Sequence, residues 1–432
     1  MVRRLIRDLE LNGSGTLAGR VVVRLDGDGG RPAFVLRDAS GELRVFAAAP
    51  LPPLGAQVEV VGERTKAGLT ASALRVVGTP QLRPGEVAEW AAADAAARRR
   101  ELVARDALLR TLRAFFHERG FLEVETPTLL SAPGQEPHLL PFATAFHGRD
   151  GATPLWLATS PEYAMKRLLA IGHEQLFQLG RCYRDGRDEE SPLHAPEFTM
   201  VEWYRAWEPL ATIGRDVGQL LHAAAGAIAA GGSSVVRGGQ RCDLAAPPRW
   251  LAVADAFRDL AGVDLAPYLD GDDARFVAAL PAAVPRVGAT AREQADSAFF
   301  RLLIERIEPA LGRDAPTLLC RYPARHAALA ELCADDPRVA ERFECYVLGL
   351  ELCNAFQELR DPDEQERRLR AEQQERVAAG GAALPISEPF LRALRSGLPP
   401  CAGVALGVDR LHLLLTGAAH LADVQPFPFG AC

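Results

Sequence analysis

Residues 177–205 read FQLGRCYRDGRDEESPLHAPEFTMVEWYR, and the reading of this stretch decides the fold. A first apolar, strand-like run closes at Arg181 and Arg184, a polar loop follows, and alternation resumes over residues 198–204. The spacing predicts an antiparallel hairpin whose loop folds over a ligand. Arginine presents a planar fork matched to phosphate or carboxylate oxygens, and Phe198 offers a flat face to a base. The competing reading is a surface hairpin with solvated charges, and the rest of the chain arbitrates between them.

A chain of 432 residues with 48% hydrophobic content exceeds what one core usually holds, so two or more domains are expected. The net charge of −7 gives no global basic field, and any nucleic-acid contact must be local. The eight cysteines (Cys182, Cys242, Cys320, Cys333, Cys345, Cys353, Cys401, Cys432) form no CxxC or Cys/His cluster. That pattern argues against structural zinc and a disulfide framework and fits a reducing compartment. No run is long enough for a signal peptide or a membrane span, so a soluble, cytoplasmic protein is expected.

Residues 18–78 alternate short β-rich runs with turn signals, about five strands in all, the count of an oligonucleotide-binding (OB) type barrel. Arg24, Arg31, Arg37 and Arg44 would be its exposed charges, serving either nucleic-acid docking or solvation alone. Residues 79–86, with Pro80 and Pro84, read as a linker, which divides the chain into residues 1–86 and 87–432. From residue 89 the pattern turns helical, with Leu102, Leu108, Leu109, Leu112, Phe115 and Phe116 on one face, until Gly120 stops it. FLEVETPTLL then reads as an edge strand carrying Pro127. In LATSPEYAMKR a strand ends in a helix start, with Ser160 as N-cap and Pro161 at the first helical position. Ser160 and Glu162 are either capping residues or ligands projected into a cleft, and Lys166 reads as a solvated helix position.

Residues 231–249 look loop-like, helical patterns follow to about residue 311, and TLLCRYP is a strand. ERFECYVLGLELCNAFQELRD, from residue 341, predicts a second antiparallel hairpin turning at Gly349. Glu344 and Glu351 across that turn suit a magnesium ion shared with substrate phosphates; carboxylates on a solvent-facing strand edge are the weaker alternative. CAGVALGVDRLHLLL, residues 401–415, is a small-residue strand leading into a helix that opens with Asp409 and Arg410, which suits an anion site.

These runs are similar, in the same order, to the class II aminoacyl-tRNA synthetases of the lysyl type. RGFLEVETP resembles their motif 1, RCYRDGRDEESPLHAPEFTMVEWY motif 2 and GVALGVDRL motif 3. SPEYAMKRLL, DPRVAERFECY and ELCNAFQEL are most similar to the branch that attaches (R)-β-lysine to elongation factor P. The resemblance covers about residue 102 onward and implies an α+β fold: an antiparallel sheet flanked by helices, dimeric through motif 1. The N-terminal barrel departs from that branch and looks like a shortened synthetase OB domain.

The resemblance implies ATP and Mg²⁺ as cofactors, with Arg184, Arg410 and Glu351 as catalytic residues. Arg184, His194, Phe198, Glu351, Leu352, Gly407 and Arg410 would bind ATP, and Glu344 and Glu351 the metal. Ser160, Glu162, Glu202, Tyr204, Asn354, Glu358 and Ala405 would form the amino-acid pocket. Ala405 stands where lysyl-tRNA synthetases typically carry glycine and the elongation factor P branch alanine. The expected reaction is activation of lysine or (R)-β-lysine and transfer to elongation factor P. The alternatives are lysyl-type tRNA charging and a catalytically silent protein that binds tRNA or an amino acid. Departures gather in the motif 2 loop: Arg184-Asp185-Gly186 replaces Arg-x-Glu, and Leu193 and Ala195 replace an arginine and an asparagine. Asp188 or Glu189 would substitute for the missing glutamate. The Asn-Gly-Phe run is Asn354-Ala355-Phe356.

Overall fold

The computed structural model describes residues 3–25, 31–83, 86, 88, 95–186, 189 and 191–430. It resolves the N-terminal runs into five strands, β1 (Ser14–Leu25), β2 (Ala33–Arg37), β3 (Glu42–Phe46), β4 (Gln57–Thr65) and β5 (Gly68–Gly78). They pair in the order β1–β2–β3–β5–β4, β4 pairs back onto β1 to close a near-barrel ring, and a sixth, two-residue strand, Arg3–Arg4, lies parallel to β1. Closure follows from alternation: Leu17, Val21, Phe34, Leu36, Val45, Val58, Val60 and Leu69 point inward and are buried. Arg24, Arg31 and Arg44 are exposed as expected, but Arg37 is half-buried because it pairs with Glu42 on the neighbouring strand. The turn expected at residues 26–30, Pro84 of the linker and residues 89–94 lie outside the described residues.

By its contacts the chain divides into two units, Met1–Ala97 and Arg98–Cys432. The second is built on eight strands: β6 (Leu122–Glu123), β7 (Gln175–Tyr183), β8 (Glu197–Ala206), β9 (Arg249–Ala252), β10 (Thr317–Pro323), β11 (Val339–Val347), β12 (Leu350–Gln357) and β13 (Cys401–Gly407). Their order is β9–β10–β11–β12–β13–β8–β7–β6, antiparallel except at the two edges. The flanking helices include α1 (Ala95–His117), α2 (Glu162–Ala170), α3 (Leu210–Ile228), α4 (Pro362–Ala378), α5 (Glu388–Arg395) and α6 (Val408–Thr416). No helix among the described residues is long and apolar enough to cross a membrane.

Alternation gives this sheet two chemically distinct faces. Val201, Trp203, Phe343, Cys345, Val404 and Leu406 pack against Leu108, Leu112 and Phe116 of α1, Ile213 and Val217 of α3, and Leu411 of α6. The residues between them, Met200, Glu202, Tyr204, Glu344, Asn354, Gly403 and Ala405, line a cleft. A single sheet therefore supplies both the core and the floor of a site.

Several local expectations are corrected. Leu102 is exposed; the buried face of α1 continues instead through Arg105, which pairs with Asp409, and Glu101, whose Oε2 lies 3.2 Å from Nε2 of buried His412. At 100° per residue, positions 101 and 105 lie close to the 108–112–115 stripe and 102 does not. FLEVETPTLL is not one strand but two short pieces, β6 and Leu129–Leu130, with Pro127 in the break. The Gln178 side chain takes the Thr126 N–H there, so no ladder continues. Residues 231–249 contain a hairpin, Ser234–Arg237 with Gln240–Asp243, because Gly238 and Gly239 both adopt the positive φ that a tight turn needs. Helix α2 begins one residue later than expected, with Pro161 at the cap position. Lys166 is not solvated but 1% exposed.

Candidate active site

The hairpin β7–β8 sets the first rows of the site. Its register pairs Cys182 with Phe198 and Gln178 with Glu202, and β13 lies on the other side of β8 with Ala405 opposite Glu202. Next, β12 places Asn354 opposite Ala405, and β11 places Glu344 opposite Asn354. Glu202, Ala405, Asn354 and Glu344 thus form one row across four strands, about 14 Å long at the usual strand spacing. All the residues singled out for ATP, metal and amino-acid binding line this one cleft, of about 1190 Å³.

One end of the cleft is a buried carboxylate pocket. Ser160 Oγ accepts from the Glu162 N–H at 3.0 Å and donates to Glu202 Oε1 at 2.6 Å, so from just outside the helix it holds the first helical N–H and also joins the pocket. Tyr204 OH donates to Glu202 Oε2 at 3.0 Å. Lys166 Nζ lies 2.5 Å from both Glu162 Oε1 and Glu358 Oε2. Burial works against the charged lysine, but these two carboxylates outweigh it and its pKa is raised. Burial, reinforced by Glu162, pushes Glu202 up to about 8. Glu358 also rises to about 8 through burial, against the pull of Lys166. A β-carbon at Gly403 would land on the Tyr204 ring and 2.5 Å from Glu358 Oε1, so only glycine fits the pocket wall there.

The other end gathers arginines. The Arg184 guanidinium lies 5.0 Å from the Phe198 ring centre, and its Nε is buried with no hydrogen-bond partner among the described residues. Arg410 donates to the Glu351 carbonyl at 3.1 Å, to Glu351 Oε2 at 3.2 Å and to the Leu193 carbonyl at 3.2 Å. It also donates to His194 Nε2 at 2.6 Å. Guanidinium can only donate, so His194 carries its proton on Nδ1 and gives it to Ser191 Oγ at 2.7 Å. Asp409 anchors the helix start: it accepts from the Thr199 N–H at 2.5 Å and pairs with Arg105 at 2.8 Å. In the motif 2 loop, Glu189 is buried and lines the cleft, while Asp188 lies outside the described residues.

Between the ends sit groups that periodicity did not single out. Arg342 donates to Glu344 Oε1 at 2.7 Å, to Asn354 Oδ1 at 3.2 Å and to the His326 carbonyl at 2.6 Å. Its guanidinium also lies over the Tyr322 and Phe356 rings. Glu308, from a helical turn, approaches Tyr346; burial, then Glu344 and Glu351, push its pKa up to about 7. Burial and Glu344 likewise raise Glu351. For Lys166 a signal existed, the i,i+4 spacing from Glu162. For Glu308 there was none, because its partners are more than thirty residues away. Such a cleft suits an anion at one end and a cation at the other.

Comparison with known proteins agrees with this arrangement. Residues 89–430 match the family model described as tRNA synthetases class II (D, K and N). The chain is 39% identical over 347 residues to a Proteus mirabilis protein named elongation factor P–(R)-β-lysine ligase, covering 79% of this chain and 98% of that one. A Yersinia enterocolitica protein of the same name is 41% identical over 332 residues, covering 76% and 95%. A third, from Sodalis glossinidius, is 40% identical over 328 residues, covering 76% and 94%.

Proposed function

Because the chain belongs to the class II tRNA synthetase family (D, K and N), we propose that it activates lysine or (R)-β-lysine with ATP and transfers it to a lysine of elongation factor P. The observation that carries this reading is the carboxylate pocket, where burial holds Glu202 and Glu358 near pKa 8 and Lys166 is the one ammonium among them. A substrate side-chain ammonium supplies that cation. Ser160, Glu162, Tyr204 and Asn354 complete the pocket, and Ala405 in its floor narrows it by one methyl relative to glycine. That methyl favours the β-amino acid by about 1 kcal/mol.

In the proposed reaction a carboxylate oxygen of the amino acid attacks the α-phosphorus of ATP, and the bond to pyrophosphate breaks. The attacking group is already ionised, so no general base is required. Arg184 holds the substrate carboxylate and α-phosphate, Arg410 the γ-phosphate, and Phe198 stacks on adenine beside His194, Leu352 and Gly407. The acceptor amine then attacks the acyl carbon, AMP departs with the bonding electrons, and an amide forms.

Magnesium fits this chemistry. Burial and then Glu344 raise both Glu308 and Glu351, and Glu351 adds to the rise at Glu308; a cation would relieve this crowding of carboxylates. Glu344 already accepts from Tyr322, Tyr346 and Arg342, leaving about one lone-pair direction free. Among the described residues no three His, Cys, Asp or Glu are grouped to hold a metal by themselves, so substrate phosphates would have to supply the remaining ligands. Glu351 and Glu344 would hold it, and it would neutralise phosphate charge.

Pyrophosphate exchange with α-lysine, (R)-β-lysine and the other standard amino acids tests activation; no exchange with any of them refutes it. Offering elongation factor P and bulk tRNA side by side then separates the acceptors. A second reading, tRNA charging, is favoured by one feature of the barrel: Arg31 and Arg44 lie 5.3 and 5.8 Å from the Phe46 ring, a stacking platform flanked by positive charge. Loss of tRNA acylation in Phe46→Ala, with exchange intact, would support that reading. A homodimer through residues 95–130 completes the proposal, and sedimentation equilibrium checks it.

A further inference from the structure

Charge in the amino-acid pocket does not balance, and the imbalance points to a residue with no assigned role. Five carboxylates line this end of the cleft, Glu136, Glu162, Glu202, Glu358 and Glu372; Glu372, raised to about 8 by burial and then by Glu136, has the Arg368 guanidinium drawing it back down. The one ammonium among them, Lys166, sits between Glu162 and Glu358. Glu202 is left with neutral donors only, Ser160 and Tyr204. Glu136 has less: its Oε2 is buried without a hydrogen-bond partner among the described residues. Glu358, 1% exposed, keeps its Oε1 unpartnered in the same pocket, a second mark of a missing cationic ligand.

Glu136 is held in place. Buried Arg376 of α4 donates to the carbonyls of Glu136 and Leu139, and the Gln135 side chain donates to the Pro385 carbonyl. The nearby arginine is thus engaged with backbone and pins the loop. Burial, then the neighbouring Glu162, raise the Glu136 pKa. Four residues on, the Leu140 carbonyl accepts from the N–H of Asp185, the neighbour of Arg184, at 2.7 Å, which puts the Glu136 loop beside the arginine end of the pocket. Glu202 lies four residues along β8 from Phe198, about 13 Å deeper.

We propose that Glu136 is a specificity-determining residue that binds the substrate amine nearest the carboxyl group, the α- or β-amine, while Glu202 takes the distal amine. The inference rests on the proposed lysine-type activation and adds the reason for selecting a diamino acid: two carboxylates without cations, at two depths, for two ammonium groups.

The test is calorimetric binding to the full-length protein of lysine, (R)-β-lysine and 6-aminohexanoate, which has only the distal amine. Glu136→Gln should weaken both diamino acids about 10- to 100-fold, the loss of one charge-assisted hydrogen bond. It should leave 6-aminohexanoate and the KM for ATP unchanged, and Glu136→Asp should recover part of the affinity. Equal weakening of all three ligands, or of none, overturns the assignment, as does absence of diamino-acid binding to the wild type. Pyrophosphate exchange run in parallel separates the two claims: binding that follows this pattern without exchange would refute activation and leave the Glu136 assignment standing.

Discussion

Gly403→Ala is the substitution whose outcome the geometry defines most closely. The added methyl would occupy the space of the Tyr204 ring and approach Glu358 Oε1 to 2.5 Å. Neither neighbour can yield freely. Tyr204 is packed with Met165, Leu176 and Phe390, and Glu358 is held by Lys166. Overpacking a filled core costs about 1–3 kcal/mol, and displacing the Tyr204 hydroxyl from the carboxyl of Glu202 forfeits a neutral hydrogen bond, about 0.5–1.5 kcal/mol more. A loss of about 2–4 kcal/mol is expected, read by urea unfolding with tryptophan fluorescence. Because Tyr204 orients Glu202, the KM for the amino acid should rise while that for ATP holds. Gly407→Ala is the internal control. Its new methyl meets nothing closer than Arg410 at 3.9 Å, so stability should change by less than about 0.5 kcal/mol. Unchanged unfolding and unchanged amino-acid KM in Gly403→Ala would refute the account of the pocket wall.

Lys166→Met leaves Glu162 and Glu358 buried without their cation; it should cost about 3–5 kcal/mol, more at pH 9 than at pH 6, where protonation relieves the carboxylates. Equal losses at both pH values would contradict the ion-pair assignment. Glu202 and Glu358, raised from 4.5 to about 8, stabilise the empty protein fully only below pH 4.5, and that contribution is lost as pH rises through 8. Lysine binding expels their protons, so affinity should climb from pH 6 to 8 by up to about tenfold per unit for each proton released. Calorimetry in buffers of different ionisation enthalpy counts those protons, and a count of zero would be fatal to the idea. Arg105→Ala strands Asp409, at 2% exposure, and removes a partner of Thr199; about 3–5 kcal/mol should be lost. The KM for ATP should rise too, because Asp409 fixes the start of the helix that carries Arg410. A normal KM for ATP would show that the anchor does not matter.

Much of this was legible in the chain itself. Both hairpins, 175–206 and 339–357, and the strand-to-helix junction at 401–416 follow from alternation, turn residues and helix period, which are local properties. So does the division between a β-rich N-terminal region and a mixed one. The motif resemblance then named the residues that meet in the cleft, without saying how they meet. Tertiary structure alone decided which charges are buried and against what. Lys166 reads as solvent-facing until Glu358, far along the chain, closes over it. Glu101 and Arg105 interrupt an apolar stripe and look like errors until Asp409 arrives to pair Arg105 and His412 packs beside Glu101. Glu136 sits in an unremarked loop until Arg376, 240 residues later, pins its backbone and leaves its carboxylate bare. Periodicity reports the face a segment presents. The pKa of a buried group depends on partners that only the assembled sheet brings within a few ångströms, and there the fold, not the local sequence, set the chemistry.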